Sequence, residues 1–274
     1  MRTSHHHVAI RRSPIDGVHA VLMESDRSFG RHWHDSYGFG VMDQGGHRSA
    51  SGRGPVEALA GDIVTSNPGE VHDGSPVDRS VRRWRMVHVS PDAMEDLTGL
   101  GAQEITRPVF DDPRLRSAIA RVFACWDALS HDPRPPDSDA LWEEALAQAC
   151  GQLMQLHGNR ANPTSVPAHL DDVRECLLDQ VAAPPSLSEL ATLASLSRYQ
   201  LVRQFASAHG LPPFAWLLQH RLLRARRLIA GGVSLGEAAA ECGFSDQSHL
   251  HRHFVRCFGF TPGQWRRAVR GPLQ

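Results

Sequence analysis

From residue 1 to about 90 the chain alternates short apolar runs with turn residues. HAVLME, YGFGVMDQ, GDIVTS and RRWRMVHVS read as strands, and GG at 45–46, GRGP at 52–55 and NPGE at 67–70 punctuate them. Many short strands separated by Gly and Pro predict a small β-sandwich or barrel. The period then changes. Leu115, Ile119, Val122, Phe123, Trp126 and Leu129 share one face at helical spacing, with Pro113 near the start, where proline is tolerated. SHDPRPPDSD at 130–139 reads as a loop. A second helix over about 141–156 would bury Leu141, Ala145, Ala149, Leu153 and Leu156. These two helices either cap the core of the β-domain or form a dimer seam. GNRANPTSVP at 158–167 reads as an interdomain linker. A helix over 168–181 follows, with Leu170, Val173, Leu177 and Val181 as its buried stripe, and Pro184 and Pro185 end it. The rest, to Trp265, is helical apart from turns and GG at 231–232.

Inside this helical stretch a single pattern occurs twice, in Leu187–Trp216 and again in Leu235–Trp265. Ala191 matches Ala239, Leu196 matches Phe244 and Ser197 matches Ser245, an offset of 48. Past a one-residue insertion, Leu201/Leu250, Arg203/Arg252, Phe205/Phe254, Gly210/Gly259, Pro213/Pro262 and Trp216/Trp265 keep an offset of 49. Each copy reads as helix, tight turn, second helix, the arrangement in which the second helix enters the DNA major groove. The alanines stand where two helices cross closely. Gly243 supplies the turn residue able to take positive φ, and Ser195 holds the same place in the first copy. Ser197 and Ser245 are placed to cap the following helices, whose free N–H groups suit a phosphate. Arg198, Tyr199, Val202 and Arg203 face outward in the first copy, and Gln247, Ser248, His251 and Arg252 in the second. Arg can pair with guanine and Gln with adenine through two hydrogen bonds. A helix over 214–229 joins the units, so that the two reading helices would enter successive major grooves about 34 Å apart.

Charge supports this division. The formal net charge of −1 conceals 11 Arg against 4 acidic residues from Pro184 onward, a local +7, while the preceding residues sum to −8. Only the C-terminal region is expected to meet a polyanion. Every basic residue is Arg, which codon bias explains. The five cysteines form no CxxC pair, which fits a reducing cytosol. No apolar run reaches membrane-spanning length and no signal peptide is evident, so a cytoplasmic location without membrane contact is expected. His5, His6 and His7 receive no role.

The segment from about Ala168 to Ala268 resembles the DNA-binding domain of AraC/XylS-type transcription regulators. GFSDQSHLHRHFVRCFGFTPGQWR closely follows the signature of that family, although His249 and Leu250 replace its usual aromatic–Phe pair and Val255 replaces a lysine. The resemblance implies two helix-turn-helix subdomains joined by a long helix, with base contacts at Tyr199, Val202 and Arg203 and at Gln247, Ser248, His251 and Arg252.

In the N-terminal region, HWHDSY places His32 and His34 on one strand face, and GDIVTSNPGEVHDG presents His72 after a turn. Three converging imidazoles can hold a divalent metal. The two strings resemble the cupin motifs incompletely. Gly38 or Phe39 stands where a glutamate ligand is expected, Pro68-Gly69-Glu70-Val71-His72 lacks one residue, and no Asn follows. AraC-type regulators often carry such a decayed cupin-like sensory domain, so these residues are expected to hold strands together or to line an effector pocket with Tyr37 and Trp84, and no metal or cofactor is assigned. Trp33, Phe39, Glu70 and His88 are further pocket candidates. Strand alternation puts Arg83, Arg85 and Val87 opposite Trp84, Met86 and His88. An Arg inside the barrel could hold an anionic effector, and one outside is a solvated charge.

The expected architecture is α+β: a cupin-like effector-binding β-barrel (1–110), a two-helix dimerisation or coupling segment (111–157), a linker (158–167) and a double helix-turn-helix domain (168–274). The expected function is a sequence-specific regulator of transcription, an activator, acting on double-stranded DNA under a small-molecule effector, with RNA polymerase as partner and a homodimer possible. The alternative is a cupin-type metal-binding enzyme with an accessory helical DNA-binding domain, and the missing glutamate counts against it. The chain has no P-loop or GxSxG elbow to support another enzyme class.

Overall fold

The computed structural model describes residues 5–78, 80–129, 137–160 and 166–270. Within them, 5–160 and 166–266 form two compact units. The first unit contains β1 (His6–Arg12), β2 (Val18–Ser25), β3 (Phe29–His32), β4 (Tyr37–Gln44), β5 (Gly46–Ser51), β6 (Gly54–Leu59), β7 (Ile63–Ser66), β8 (His72–Pro76) and β9 (Arg82–Val89). After these come α1 (Pro91–Thr98), β10 (Gln103–Ile105), β11 (Val109–Phe110), α2 (Pro113–Leu129), α3 (Ser138–His157) and β12 (Gly158–Arg160). The strands form a six-stranded sheet, β1-β2-β9-β4-β7-β11, a four-stranded sheet, β3-β8-β5-β6, and a two-stranded ribbon, β10-β12. Every pairing is antiparallel. This is the sheet-rich N-terminal domain expected from the short strands.

The large sheet and the helices share one core. Phe39, Val41, Ile63, Val87 and Val89 pack with Leu115, Ile119, Val122 and Trp126 of α2 and with Trp142, Leu146 and Leu153 of α3. Each such side chain contributes roughly 1.5–3 kcal/mol on burial. Asp112 starts α2 by accepting from the N–H groups of Arg114 (2.9 Å) and Leu115 (3.1 Å). The buried faces of α2 and α3 thus cap the β-domain. The face read for α3 is shifted at its ends: Leu141 and Leu156 are exposed, and Trp142, Leu146, Cys150 and Met154 are buried instead. At about 100° per residue the buried positions centre well round the helix from Leu141, which falls at the edge of the core-facing side, and Leu156 lies in the last turn.

Two loop assignments also change. Residues 130–136 of the expected loop lie outside the described residues, while Ser138 and Asp139 already belong to α3. Gly158–Arg160, read as the start of the linker, is β12, pairing Ile105↔Gly158, Glu104↔Asn159 and Gln103↔Arg160. Residues 161–165 lie outside the described residues.

The second unit is all-helical: α4 (Ala168–Asp179), α5 (Leu187–Leu193), α6 (Arg198–His209), α7 (Pro213–Ala230), α8 (Leu235–Glu241), α9 (Gln247–Phe258) and α10 (Pro262–Arg270). Leu170, Val173, Leu177 and Val181 are buried as their spacing requires. Among the described residues no helix is long and apolar enough to cross a membrane.

Candidate functional site

The duplicated pattern folds as two helix-turn-helix units, α5–α6 and α8–α9, with α7 between them. Their turns repeat bond for bond. In the first, the N–H groups of Ala194, Ser195 and Leu196 donate to Leu190, Thr192 and Ala191 at 3.1, 3.0 and 2.9 Å. In the second, those of Cys242, Gly243 and Phe244 donate to Ala238, Ala240 and Ala239 at 3.2, 3.0 and 2.9 Å. Ser195 and Gly243 both take positive φ, 54° and 72°. Gly243 has a second reason to lack a side chain, since a Cβ there would lie 2.7 Å from Cα and O of Ala182. Ala191 and Ala239 are buried at the crossings. The first helix of each unit is closed by a reciprocal capping box, Ser186 with Glu189 and Ser234 with Glu237.

The second helices are capped differently. Ser197 caps α6, its hydroxyl accepting from the Gln200 N–H at 3.2 Å, and the Gln200 side chain reaches back to the Ser197 N–H. Ser245 does not cap α9. Asp246 does, accepting from the His249 N–H at 2.6 Å, while the Ser245 hydroxyl meets His249 Nδ1 at 3.1 Å. The one-residue insertion is the cause. At the offset of 49 that holds beyond it, the equivalent of Ser197 is Asp246. The hydrogen bond from the His249 N–H holds the Asp246 carboxyl below its ordinary pKa, so the cap is anionic at neutral pH.

From this cap onward α6 and α9 correspond residue for residue. Arg198, Tyr199 and Arg203 are exposed and Val202 half-buried, and Gln247, Ser248, His251 and Arg252 are all exposed. The Arg203 guanidinium lies over the Tyr199 ring at 5.9 Å. The opposite faces, Leu201 and Phe205 in α6 and Leu250 and Phe254 in α9, are fully buried. In α7 the buried Arg226 stacks on Phe258 and Trp265, each at 5.2 Å, and its carbonyl accepts from Trp265 Nε1 at 3.0 Å. Arg221 donates to the carbonyls of Val181 and Ala182, just past the end of α4.

In the first unit, β3 and β8 place His32 opposite His72. With His34 they form a near-equilateral triangle of rings: 5.0 Å for His32–His34, 4.6 Å for His32–His72 and 5.3 Å for His34–His72. Nδ1 of His32 bonds the Gly30 carbonyl at 2.7 Å and Nδ1 of His72 bonds the Glu70 carbonyl at 2.8 Å. A carbonyl only accepts, so each Nδ1 carries the proton. Burial, then the neighbouring His72, pushes the His32 pKa down to about 3. His72 is lowered as well, by burial.

Two residues not singled out from the sequence extend the cluster. His47 lies beside Gly74, where a Cβ would meet its ring at 2.7 Å. Burial, then Arg82 and His72, holds its pKa down at about 3. Arg82 is wholly buried, donates through Nε to His47 Nδ1 at 3.0 Å and stacks on Trp84 at 4.8 Å. Burial lowers its pKa to about 10. Trp84 therefore stands next to Arg82 and His47. His88 is buried at 5.2 Å from His34 and stacks on His19 at 4.8 Å. Tyr37 and Phe39 instead belong to the core shared with α2 and α3, and the Tyr37 hydroxyl donates to the Gln103 carbonyl at 2.6 Å. Arg83 is exposed, and Arg85 pairs with Asp43 at 2.8 Å.

Glu70 is held by its own turn. Its carboxylate accepts from the Asn67 backbone and side chain at 3.1 and 3.0 Å, with Arg53 Nε 3.6 Å away. The Asn67 side chain in turn bonds both the carbonyl (3.0 Å) and the N–H (2.7 Å) of Ile105.

Comparison with known proteins agrees with both halves. Residues 190–268 match the helix-turn-helix domain model and residues 18–149 the AraC-like ligand binding domain model. An uncharacterised HTH-type transcriptional regulator of Bacillus subtilis strain 168, YbfI, is 28% identical over 82% of this chain and 82% of its own length. The HTH-type transcriptional activator RhaS of an Enterobacter strain is 33% identical over 39% of each chain. The crystal structure of ToxT from Vibrio cholerae O395 superposes with a TM-score of 0.54 at 10% identity, covering 94% of this chain and all of that one, a likeness of fold. The chain belongs to the AraC-type transcription regulators, with an AraC-like ligand-binding domain followed by a helix-turn-helix DNA-binding domain.

Proposed function

We propose that α6 and α9 read bases in double-stranded DNA, and that an effector held in the N-terminal unit controls how they engage it. The observation that carries this reading is the correspondence of the two helices: of four equivalent positions on each, Arg198, Tyr199, Val202 and Arg203 and then Gln247, Ser248, His251 and Arg252, all but the half-buried Val202 are exposed. Arg203 and Arg252 are the candidates for guanine and Gln247 for adenine. The N-terminal turn of α6, capped by the neutral Ser197, would take a flanking phosphate, whereas the anionic Asp246 at the start of α9, which already accepts from the N–H groups of that turn, disfavours one there.

On the effector side, the lining consists of His32, His34, His72 and Trp84, joined by His47 and Arg82. ToxT, which shares this fold, has been crystallised with an unsaturated fatty acid bound, so a small organic ligand has a precedent. Effector binding would shift the population of two arrangements of the protein. RhaS is an activator. Activation through RNA polymerase, from a homodimer in the cytoplasm, is the corresponding assignment here. No catalytic role is assigned.

The test is an anisotropy titration at fixed salt, with DNA from upstream of the chain's own gene against scrambled DNA. Arg252→Ala should cost about 1–3 kcal/mol on the preferred fragment and relax preference at one base position. Arg203→Ala together with Arg252→Ala should remove the preference. An equal loss on scrambled DNA would assign these arginines to phosphates, and the base-reading proposal would fail.

A further inference from the structure

The three imidazoles of the N-terminal unit have a geometry that effector lining alone does not require. His32 and His72 are cross-strand partners, which sets their Cβ atoms about 5 Å apart. His34, two residues on, closes the triangle. A ring nitrogen of each lies within 4.8 Å of those of the other two. Zinc–nitrogen bonds of about 2.0–2.1 Å in tetrahedral geometry need nitrogens about 3.4 Å apart. The gap of roughly an ångström is within the reach of small ring rotations.

The hydrogen bonds around the triangle point the same way. The Gly30 and Glu70 carbonyls hold the Nδ1 protons of His32 and His72, which leaves Nε2 as the lone-pair nitrogen on both. A second ring nitrogen fixed by a carbonyl is the usual support of a metal-bound histidine. The nearby carboxylates are engaged elsewhere, Glu70 with Asn67 and Asp73 with the Ala50 N–H at 2.7 Å. They stay close enough to His72 to act on its charge, so a dication would have counter-charges without direct carboxylate bonds. An all-imidazole set favours zinc, cobalt, nickel or copper over magnesium or calcium.

We propose that His32, His34 and His72 form a three-nitrogen site for one divalent transition-metal ion, with the remaining coordination positions open to water or to a donor atom of the effector. The site goes beyond the effector reading and stands independently of the proposed base contacts.

The test uses the full chain carrying His5→Ala, His6→Ala and His7→Ala, because three consecutive imidazoles would themselves take up metal. The protein is stripped with a chelator, titrated with Co²⁺ while visible absorption is followed, and assayed for Zn²⁺ uptake by mass spectrometry. One ion per chain is expected, with Zn²⁺ raising the unfolding temperature. His32→Ala and His72→Ala should each weaken uptake by more than the roughly 10–100-fold typical of changes around a ligand. His169→Ala, in the helical unit and bonded there to Gln204, should keep one ion per chain. Calorimetry of each apo variant establishes that the N-terminal unit still folds, and His34→Ala, which lies outside the strands, serves if the other two do not. No uptake by folded protein, or uptake unchanged in the folded ligand variants, overturns the site. The titration against upstream DNA separates the two readings: DNA preference without metal uptake removes the site alone, and metal uptake without DNA preference removes the base-reading proposal alone.

Discussion

Replacing Gly243 by alanine puts the second helix-turn-helix turn to a quantitative test. Gly243 holds φ at 72°, and a Cβ would lie 2.7 Å from both Cα and O of Ala182. The left-handed conformation costs a residue with a side chain about 1–2 kcal/mol. A methyl group pressed against backbone, which cannot rotate away as a side chain end can, adds an overpacking penalty of about 1–3 kcal/mol. The stiffer unfolded chain of alanine returns about 0.4–1 kcal/mol. The net destabilisation is about 1–5 kcal/mol, and for a unit of this size it lowers the melting temperature by at least about 4 °C. The Cβ would also meet the Arg221 guanidinium at 2.8 Å, disturbing its hold on the end of α4.

Ser195, at φ 54° in the equivalent turn, is exposed and provides the internal control. Ser195→Gly relieves the left-handed cost but adds about 0.5–1 kcal/mol of chain entropy, so stability should change by about 1 kcal/mol or less. Calorimetry of the full chain, following the transition of the helical unit (166–266), distinguishes the two. Wild-type melting of Gly243→Ala would refute the close approach to Ala182. An equal loss in Ser195→Gly would refute the argument from φ.

Three other predictions concern caps, thiols and acid. Ser197→Ala and Asp246→Ala should each cost about 0.5–2 kcal/mol of helix stability, and Ser245→Ala less than about 0.5 kcal/mol; a larger loss at Ser245 than at Asp246 in thermal melts would reverse the capping assignment. Burial pushes the thiols of Cys150 and Cys257 up to about 12 and that of Cys242 up to about 11. A native thiol titration should therefore react rapidly with Cys125 and Cys176 at most, and mapping a fast adduct to any of the other three would contradict their burial. The hydrogen bond from His157, at 2.8 Å, holds the Asp112 carboxyl below its ordinary 3.8. A depressed carboxylate adds stability that is complete above the unfolded value and lost as pH falls through the folded one. Asp112→Asn should lower the melting temperature of the first unit at pH 7, and the gap to wild type should close in acid below about pH 3.8; a gap that persists there would assign the effect to something other than charge.

The helical half is legible in the sequence because its information is local. Small residue, turn residue and cap recur within about a dozen positions of each other, so the register of α5–α6 can be laid over α8–α9 by counting. Even the shift of the cap from Ser245 to Asp246 is marked by the insertion that moves the offset from 48 to 49. The β-domain is different. His32 and His34 announce themselves as neighbours, but the placing of His47 beside His72, and of Arg82 against His47, depends on strand pairings about 30 residues apart. Arg82 is hidden in the sequence because it opens the run RRWRMVHVS at the strand edge, where an Arg reads as a surface residue. Tyr37 fails as pocket lining because β4 is buried on both faces, which removes the inside–outside alternation on which its assignment rests.

The strand β12 ties the last described residues of the first unit to its histidine cluster. Its first residue pairs with Ile105, which Asn67 grips by both backbone groups, and Asn67 holds Glu70, whose carbonyl accepts the His72 proton. The point where the chain leaves the ligand-binding unit is thus fastened, bond by bond, to the turn that carries His72. The fastening is only three residues long. Unzipping it would free about 10 Å of extended backbone at roughly 3.3 Å per residue. The end of the described first unit is therefore held by the same chain of bonds that positions His72.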